Sequence, residues 1–248
     1  MNEGQDFEKR ISDLARRSIK SGSITNTLFL TPAEKYLLEQ RKDLYQGCRA
    51  YFFGEEYGCE RCAAFFVPDY LEEEPDYSAV ITAFRIEAFF GEPGHRDYLG
   101  AVINTGIERN RVGDLVIKGN ECTVFCFLSV ARAVADIERV GRCGVRVKEV
   151  PLSEIPAIER KTKAVSFTVS GLRLDAVAAD MFRVSRTEAA EKIKLGLVTV
   201  NYSVCNKTDA RLSEGDVISM RGEGKGVIKE IGGQSRKGRT YVHAEIFV

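Results

Sequence analysis

Between residues 77 and about 150 the apolar pattern switches between strand and helix spacing in an order that few folds accommodate. Val80 to Phe90 reads as a strand, Arg96 to Ile107 as a helix, and Asp114 to Lys118 and Thr123 to Leu128 as two strands. Val130 to Val140 then reads as a helix and Val145 to Val150 as a last strand. The order β-α-β-β-α-β predicts a ferredoxin-like sandwich, the split βαβ arrangement. RNA-recognition motifs share that topology, but their aromatic signature is missing from the third strand, so topology alone assigns no ligand here.

A second organised stretch runs from Arg173 to Met220. Leu174, Val177, Ala178, Met181 and Phe182 fall at helical spacing, and Ser185 with Glu188 has the form of a capping box opening another helix. Ala189, Ala190, Ile193 and Leu197 give that helix its buried side, and Gly196 ends it. Arg186 and Lys194 flank the apolar stripe on one edge, Lys192 on the other, and the helix N-terminus adds partial positive charge near Arg186. Val198-Thr199-Val200 reads as a strand, Asn201-Tyr202 as a turn, and Val217 to Met220 as a further strand after Glu214-Gly215-Asp216. Val227-Ile228 and Tyr241 to Phe247 form a closing pair of strands, joined by a loop that carries Arg236, Lys237 and Arg239. Two helices on a small sheet with basic edges suit a folded phosphate backbone, although charges beside a helix stripe are often plain solvated surface.

Residues 1 to 74 read as mainly helical. Phe7, Ile11, Leu14 and Ala15 make one stripe, and Thr31-Pro32-Ala33-Glu34 is a helix start with Pro in the first turn. Tyr51 to Phe53 and Ala63 to Val67 read as a hairpin joined through Gly54 to Gly58, and Glu72-Glu73-Glu74-Pro75-Asp76 as a solvated boundary. The expected architecture is therefore α+β, with a helical unit plus hairpin at 1–74, a ferredoxin-like domain at 77–153 and a small α+β domain at 164–248.

Charge bears on partners. Lys+Arg and Asp+Glu both number 36, which argues against a generally sticky polycation. Residues 164–248 nevertheless hold 13 Lys/Arg against 10 Asp/Glu, and the remainder 23 against 26. Arg160, Lys161 and Lys163 add to the basic side, so selective binding by the C-terminal part is expected. Seven cysteines, an acidic and basic start to the chain, and the lack of an apolar run near the roughly 20 residues that span a bilayer point to the cytoplasm, without membrane contact.

Several chemical motifs fail on their spacing. His95-Arg96-Asp97 resembles a kinase catalytic loop, but the position five after Asp97 holds Val102 rather than Asn, and no glycine-rich loop or Asp-Phe-Gly accompanies it. Asp97 or His95 is better read as capping a helix that begins near Arg96, with a surface contact by His95 and Arg96 left open. Cys59-Glu60-Arg61-Cys62 has metal-pair spacing but lacks a second pair, and Cys122 and Cys126 share one face of a strand as core residues. Neither Gly222-Glu223-Gly224-Lys225-Gly226 nor Gly232-Gly233 fits a phosphate loop. No metal, cofactor or small-molecule substrate is expected.

Arg173-Leu174-Asp175, Ser185-Arg186 with Ala189, Ile193-Lys194-Leu195-Gly196 through Val200-Asn201, and Gly215-Asp216-Val217-Ile218 together resemble the S-four domain, an RNA-binding module named after small-subunit ribosomal protein four. Tyr202 departs from the Gly usual after the turn Asn, so a wider or reshaped turn is expected. With His95-Arg96-Asp97-Tyr98-Leu99-Gly100, Gly106-Ile107-Glu108-Arg109, Thr31-Pro32 and Glu60-Arg61, essentially the whole chain is similar to the YlmH family. The resemblance implies a non-catalytic protein that binds structured RNA, ribosomal RNA and/or tRNA, on the large ribosomal subunit in rescue of stalled translation. Arg173, Arg186, Lys192, Lys194, Lys207 and Arg221 are the expected phosphate ligands, with Ser185 and Asn201 positioning backbone. Arg236, Lys237 and Arg239 are expected as adaptable contacts.

Two other classes compete. Pseudouridine synthases carry S-four domains and a catalytic Arg-Leu-Asp, but Asp175 is followed by Ala176-Val177-Ala178, and the 73 residues after Asp175 are too few for their catalytic domain. Asp175 is then expected to offset helix amides. A protein-interaction adaptor, localised to RNA by residues 164–248, is the third class.

Overall fold

The structure, a computed structural model, describes residues 3–158 and 161–247 and divides into two compact units, Met1–Ile158 and Glu159–Val248. The expected contribution of Arg160 lies outside the described residues.

The first unit opens with α1 (Glu3–Ser21), which buries Phe7, Ile11 and Ala15 as its stripe requires. A strand that the pattern does not announce follows, β1 (Thr25–Leu30), and then α2 (Pro32–Gln40). The capping box of α2 is complete: Thr31 Oγ1 accepts from the Glu34 amide at 3.2 Å, and Glu34 accepts from the Thr31 amide at 2.8 Å. β2 (Cys48–Phe53) and β3 (Cys62–Pro68) form the expected hairpin, and β1 joins it to give an antiparallel sheet in the order β1-β3-β2. The N-terminal segment is thus less helical than its sequence predicts. A register shift between Asn26 and Phe29 breaks the alternation of β1, and buried Thr27 there accepts from the Ala64 amide at 2.9 Å.

The ferredoxin-like pattern follows as β4 (Ile81–Ala88), α3 (His95–Asn104), β5 (Val112–Lys118), β6 (Glu121–Phe127), α4 (Ala131–Ala135), β7 (Arg139–Val140) and β8 (Cys143–Val150). The antiparallel order β5-β6-β4-β8 is that of the split βαβ sandwich, with β7 added at the edge. The second helix is shorter than expected. Residues 139–140 pair with β8 instead, through a turn where Gly141 takes φ 57°. Phe84, Ile86, Cys122, Val124 and Cys126 face α3 and α4 and pack with Tyr98, Val102 and Val134.

The opposite face of this sheet is covered by the N-terminal one. Ile81, Ala83, Phe125, Phe127 and Val150 share a core with Phe29, Phe53, Ala63 and Phe65, the Phe29 and Phe127 rings meeting edge-on at 5.1 Å. Gly113 of β5 lies in this seam, where an added Cβ would come within 2.8 Å of the Phe29 ring. The elements before and after the acidic run at 72–76 therefore share a core, although the run reads as a boundary.

The second unit starts with β9 (Thr162–Val169), a strand absent from the expected elements, then α5 (Leu174–Phe182) and α6 (Arg186–Lys194). β10 (Val198–Val200), β11 (Ser203–Val204), β12 (Val217–Met220), β13 (Gly224–Gln234) and β14 (Thr240–Phe247) complete an antiparallel sheet in the order β11-β10-β12-β13-β14-β9. The helices pack Leu174, Val177, Met181, Ala189 and Ile193 onto Val198, Ile218, Ile228 and Val242.

Candidate nucleic-acid interface

The two helices of the second unit are tied at their N-termini by one carboxylate. Asp175, in the first turn of α5, accepts from Arg173 Nε and Nη2 at 3.0 and 3.1 Å and from Arg186 Nε and Nη2 at 3.1 and 3.0 Å. Its side chain is 8% exposed, whereas Arg173 and Arg186 keep 47% and 54% of theirs in solvent. Burial alone would raise the Asp175 pKa. The hydrogen bonds and charges of Arg173 and Arg186 outweigh that effect and hold it below the usual carboxylate range. The expected helix-amide role is corrected: the Leu174 and Asp175 amides donate to Ala210 O and Thr208 O, both at 2.9 Å, which frees the carboxylate to clamp arginines.

The result is a pair of guanidiniums fixed side by side, one bidentate face spent on Asp175 and the rest exposed. The 208–210 loop that caps α5 also brings Lys207 and Arg211, both exposed, to this end of the unit, Arg211 through a bridge to Arg173. Sequence reasoning misses Arg211 because it sits in an irregular loop with no period to mark it. It misses exposed Arg183 as well, which takes a left-handed φ of 59° as the C-cap of α5.

Along α6, Ser185 Oγ accepts from the Glu188 amide at 3.1 Å, so the cap forms. Its reciprocal half is replaced by an ion pair from Glu188 to Lys192 at 3.1 Å. Lys192 also donates to Glu223, and these two carboxylates raise its pKa. Arg173, Arg186 and Arg239 among the expected ligands also have a carboxylate partner, but Lys192 bridges two carboxylates. Lys194 is exposed at the last turn, about 12 Å along the axis from Arg186. Beyond Gly196, at φ 72°, a shallow cleft of about 430 Å³ is lined by Leu197, Thr199, Ser219 and exposed Arg221.

Asn201 and Tyr202 keep the tight two-residue turn, at φ 49° and 67°, with Val200 paired to Ser203. The expected reshaping does not occur. Asn201 donates to Asp216 at 2.7 Å and accepts from the Val217 amide at 2.9 Å, while Tyr202 lies under Lys225, 4.9 Å from the ring centroid. Asn201 thus braces the turn with its own side chain. Arg236 and Lys237 are exposed between β13 and β14, but Arg239 folds back to donate to Thr168 Oγ1 at 3.1 Å.

In the first unit, Asp97 caps α3 by accepting from the Gly94 amide at 2.9 Å, and His95 and Arg96 are exposed. Cys122 and Cys126 are fully buried; Cys59 and Cys62 are buried too, and burial pushes the Cys62 thiol up to about 12. Among the described residues no helix is long and apolar enough to cross a membrane.

A clamped arginine pair beside a capped helix, on a small antiparallel sheet, defines an S-four-type RNA-binding module that follows an α+β sandwich in the chain. Family models agree: residues 72–154 match "Putative RNA-binding domain in YlmH" and residues 172–218 match the S4 domain. The chain is 32% identical over 223 residues, 88% of its length and 86% of the relative's, to "Ribosome-associated protein quality control protein P2" of Bacillus subtilis. A solved structure, "Cell division protein ylmH from Streptococcus pneumoniae", superposes with a TM-score of 0.52 at 25% identity, over 63% of this chain and 96% of that one. The chain belongs to the YlmH family of RNA-binding proteins, that of the ribosome-associated quality control protein P2.

Proposed function

We propose that this protein binds ribosomal RNA on the large ribosomal subunit, and tRNA held there, as a non-catalytic cytoplasmic factor in ribosome-associated quality control. The observation that carries the reading is the Asp175 clamp. It presents Arg173 and Arg186 as rigid, half-exposed forks, next to Lys207 and ahead of Lys194 and Arg221. Fixed guanidiniums lose little conformational freedom on meeting phosphate, which favours a folded backbone over a flexible strand. Ser185 fixes the start of α6 at the contact, and Arg236 and Lys237 extend the surface.

The clamp also speaks against the pseudouridine-synthase class. A carboxylate already accepting four hydrogen bonds from two guanidiniums is poorly placed to attack a base. The adaptor class is favoured by one observation, the adjacent Phe89 and Phe90 at 63% and 61% exposed in the first unit. Deletion of residues 164–248 separates the readings: an adaptor keeps its protein partner, whereas the proposed function is lost entirely.

The direct test neutralises cations that the fold does not use. Replacing Lys194, Lys207 and Arg221 with Gln should weaken binding to purified large subunits. It should also lower the slope of log affinity against log salt by roughly 0.7–0.9 for each phosphate no longer engaged. An unchanged slope in the folded triple variant would refute this surface.

A further inference from the structure

The first unit holds a second concentration of positive charge, outside the S-four module. A cavity of about 360 Å³ opens between α1, β1, the β2–β3 loop and the turn before β5, lined by Arg10, Thr31, Glu34, Arg61, Arg109 and Asn110. Arg61 and Arg109 are half-buried, and their pKa values are lowered by burial first. The charge of Arg61 depresses Arg109 further. Two half-buried guanidiniums close enough for one to depress the other are costly unless an anion balances them.

The protein supplies little of that balance. Arg61 Nη2 donates to Phe29 O at 3.0 Å and Arg109 Nη1 to Gly113 O at 3.0 Å, contacts that pin backbone without neutralising charge. Asp114 is the nearby acid and its charge offsets part of both guanidiniums, while its oxygens accept from the Glu60 and Arg61 backbone amides rather than from either guanidinium. Glu34 is engaged by the Thr31 cap and by Arg10 at 3.5 Å. Among the described residues no carboxylate lies within ion-pair distance of the Arg61 or Arg109 guanidinium. Two polar atoms are also orphaned in the same place: Arg61 Nε is buried with no acceptor and Asn110 Oδ1 with no donor.

We propose that this cavity is a binding site for a phosphoryl group, held between the Arg61 and Arg109 guanidiniums with Arg10 at the rim. Three arginines against Glu34 and Asp114 leave one positive charge in excess, which a phosphodiester or a phosphate monoanion matches. Planar guanidinium forks suit phosphate oxygens, and the volume exceeds what a bare carboxylate would fill, reaching the lower range of small-ligand sites. Asn110 can turn either end of its amide toward the same group. The group arrives as free phosphate or as part of an RNA chain, and both present the same oxygens. Nothing in this site draws on the S-four surface, so either can fail alone.

Hydrogen exchange of the full chain at residues 28–34 and 107–112 provides a local readout. It would be measured at fixed ionic strength in chloride, in inorganic phosphate and with a single-stranded RNA oligonucleotide. The chain used carries the Lys194, Lys207 and Arg221 replacements, so that RNA on the other surface contributes less, and the readout is confined to residues of the first unit. Protection by phosphate identifies the small ion as the ligand, and protection by RNA alone identifies the nucleic-acid backbone. In either case Arg109→Gln should weaken the protecting ligand by about tenfold or more, whereas Arg109→Lys should retain part of the effect. If Arg109→Gln does not fold, Arg10→Glu at the exposed rim takes its place and should weaken binding by a similar factor. No protection by either ligand, or protection indifferent to these variants, overturns the proposal.

Discussion

Asp175 shows how one side chain can serve stability and binding together. Replacing it with the isosteric amide leaves the space filled but removes the charge that holds two guanidiniums near one another, so Asp175→Asn should cost about 2 kcal/mol. It should also free Arg173 and Arg186 to move, so RNA affinity should fall even though no cation has been removed. Urea denaturation and large-subunit binding on the same variant check both effects. A drop in stability with intact affinity would mean that the clamp is only structural. The sequence places Asp175 correctly in the first turn of a helix but does not reveal its partner, because Arg186 lies on the next helix and local spacing carries no information about that pairing. Tyr202 is a similar case. The turn is legible and its expected distortion is absent, since a β-hairpin pairing at Val200 and Ser203 imposes positive φ on a residue that disfavours it.

Legibility of the elements follows their period. The helices α3, α5 and α6 and most strands of the βαββαβ order carry two or more turns or alternations of pattern, and the sequence shows them, whereas the five-residue α4 is read too long. β1 stays hidden, because the irregularity between Asn26 and Phe29 puts it out of alternation. β9 does alternate, with Val165, Phe167 and Val169 packed toward the core, and that signal is there to be read. What no local pattern contains is the packing of the N-terminal sheet on the ferredoxin-like one. It depends on Phe29 and Phe53 meeting Phe125 and Phe127 across more than 70 residues of chain. Gly113 is where that packing is least forgiving, since any side chain would strike the Phe29 ring and the Phe125 Cβ at once. Gly113→Ala should therefore destabilise the first unit by about 1–3 kcal/mol through overpacking. Thermal unfolding measures it, and paired replacement with Phe29→Leu should recover part of the deficit.

The protein as an entity has two compact units whose electrostatic dependence differs. Asp175 belongs to the second unit, and its pKa is depressed on folding, so its contribution is present above the unfolded carboxylate value of about 3.9. That contribution disappears as pH falls through the lower folded value. In the first unit, among the described residues, the carboxylate with a lowered pKa is Asp43, paired with Arg41 at the surface, where screening leaves such a pair little influence. Acidification below about pH 4 should consequently loosen the S-four unit before the sandwich. Hydrogen exchange at a pH of about 3 should show protection falling in residues 172–194 while β3, β4 and β6 hold theirs. Asp175→Asn should remove this pH dependence along with the stability, because a neutral amide has no proton to gain. Simultaneous loosening of both units would show that the clamp does not govern acid sensitivity.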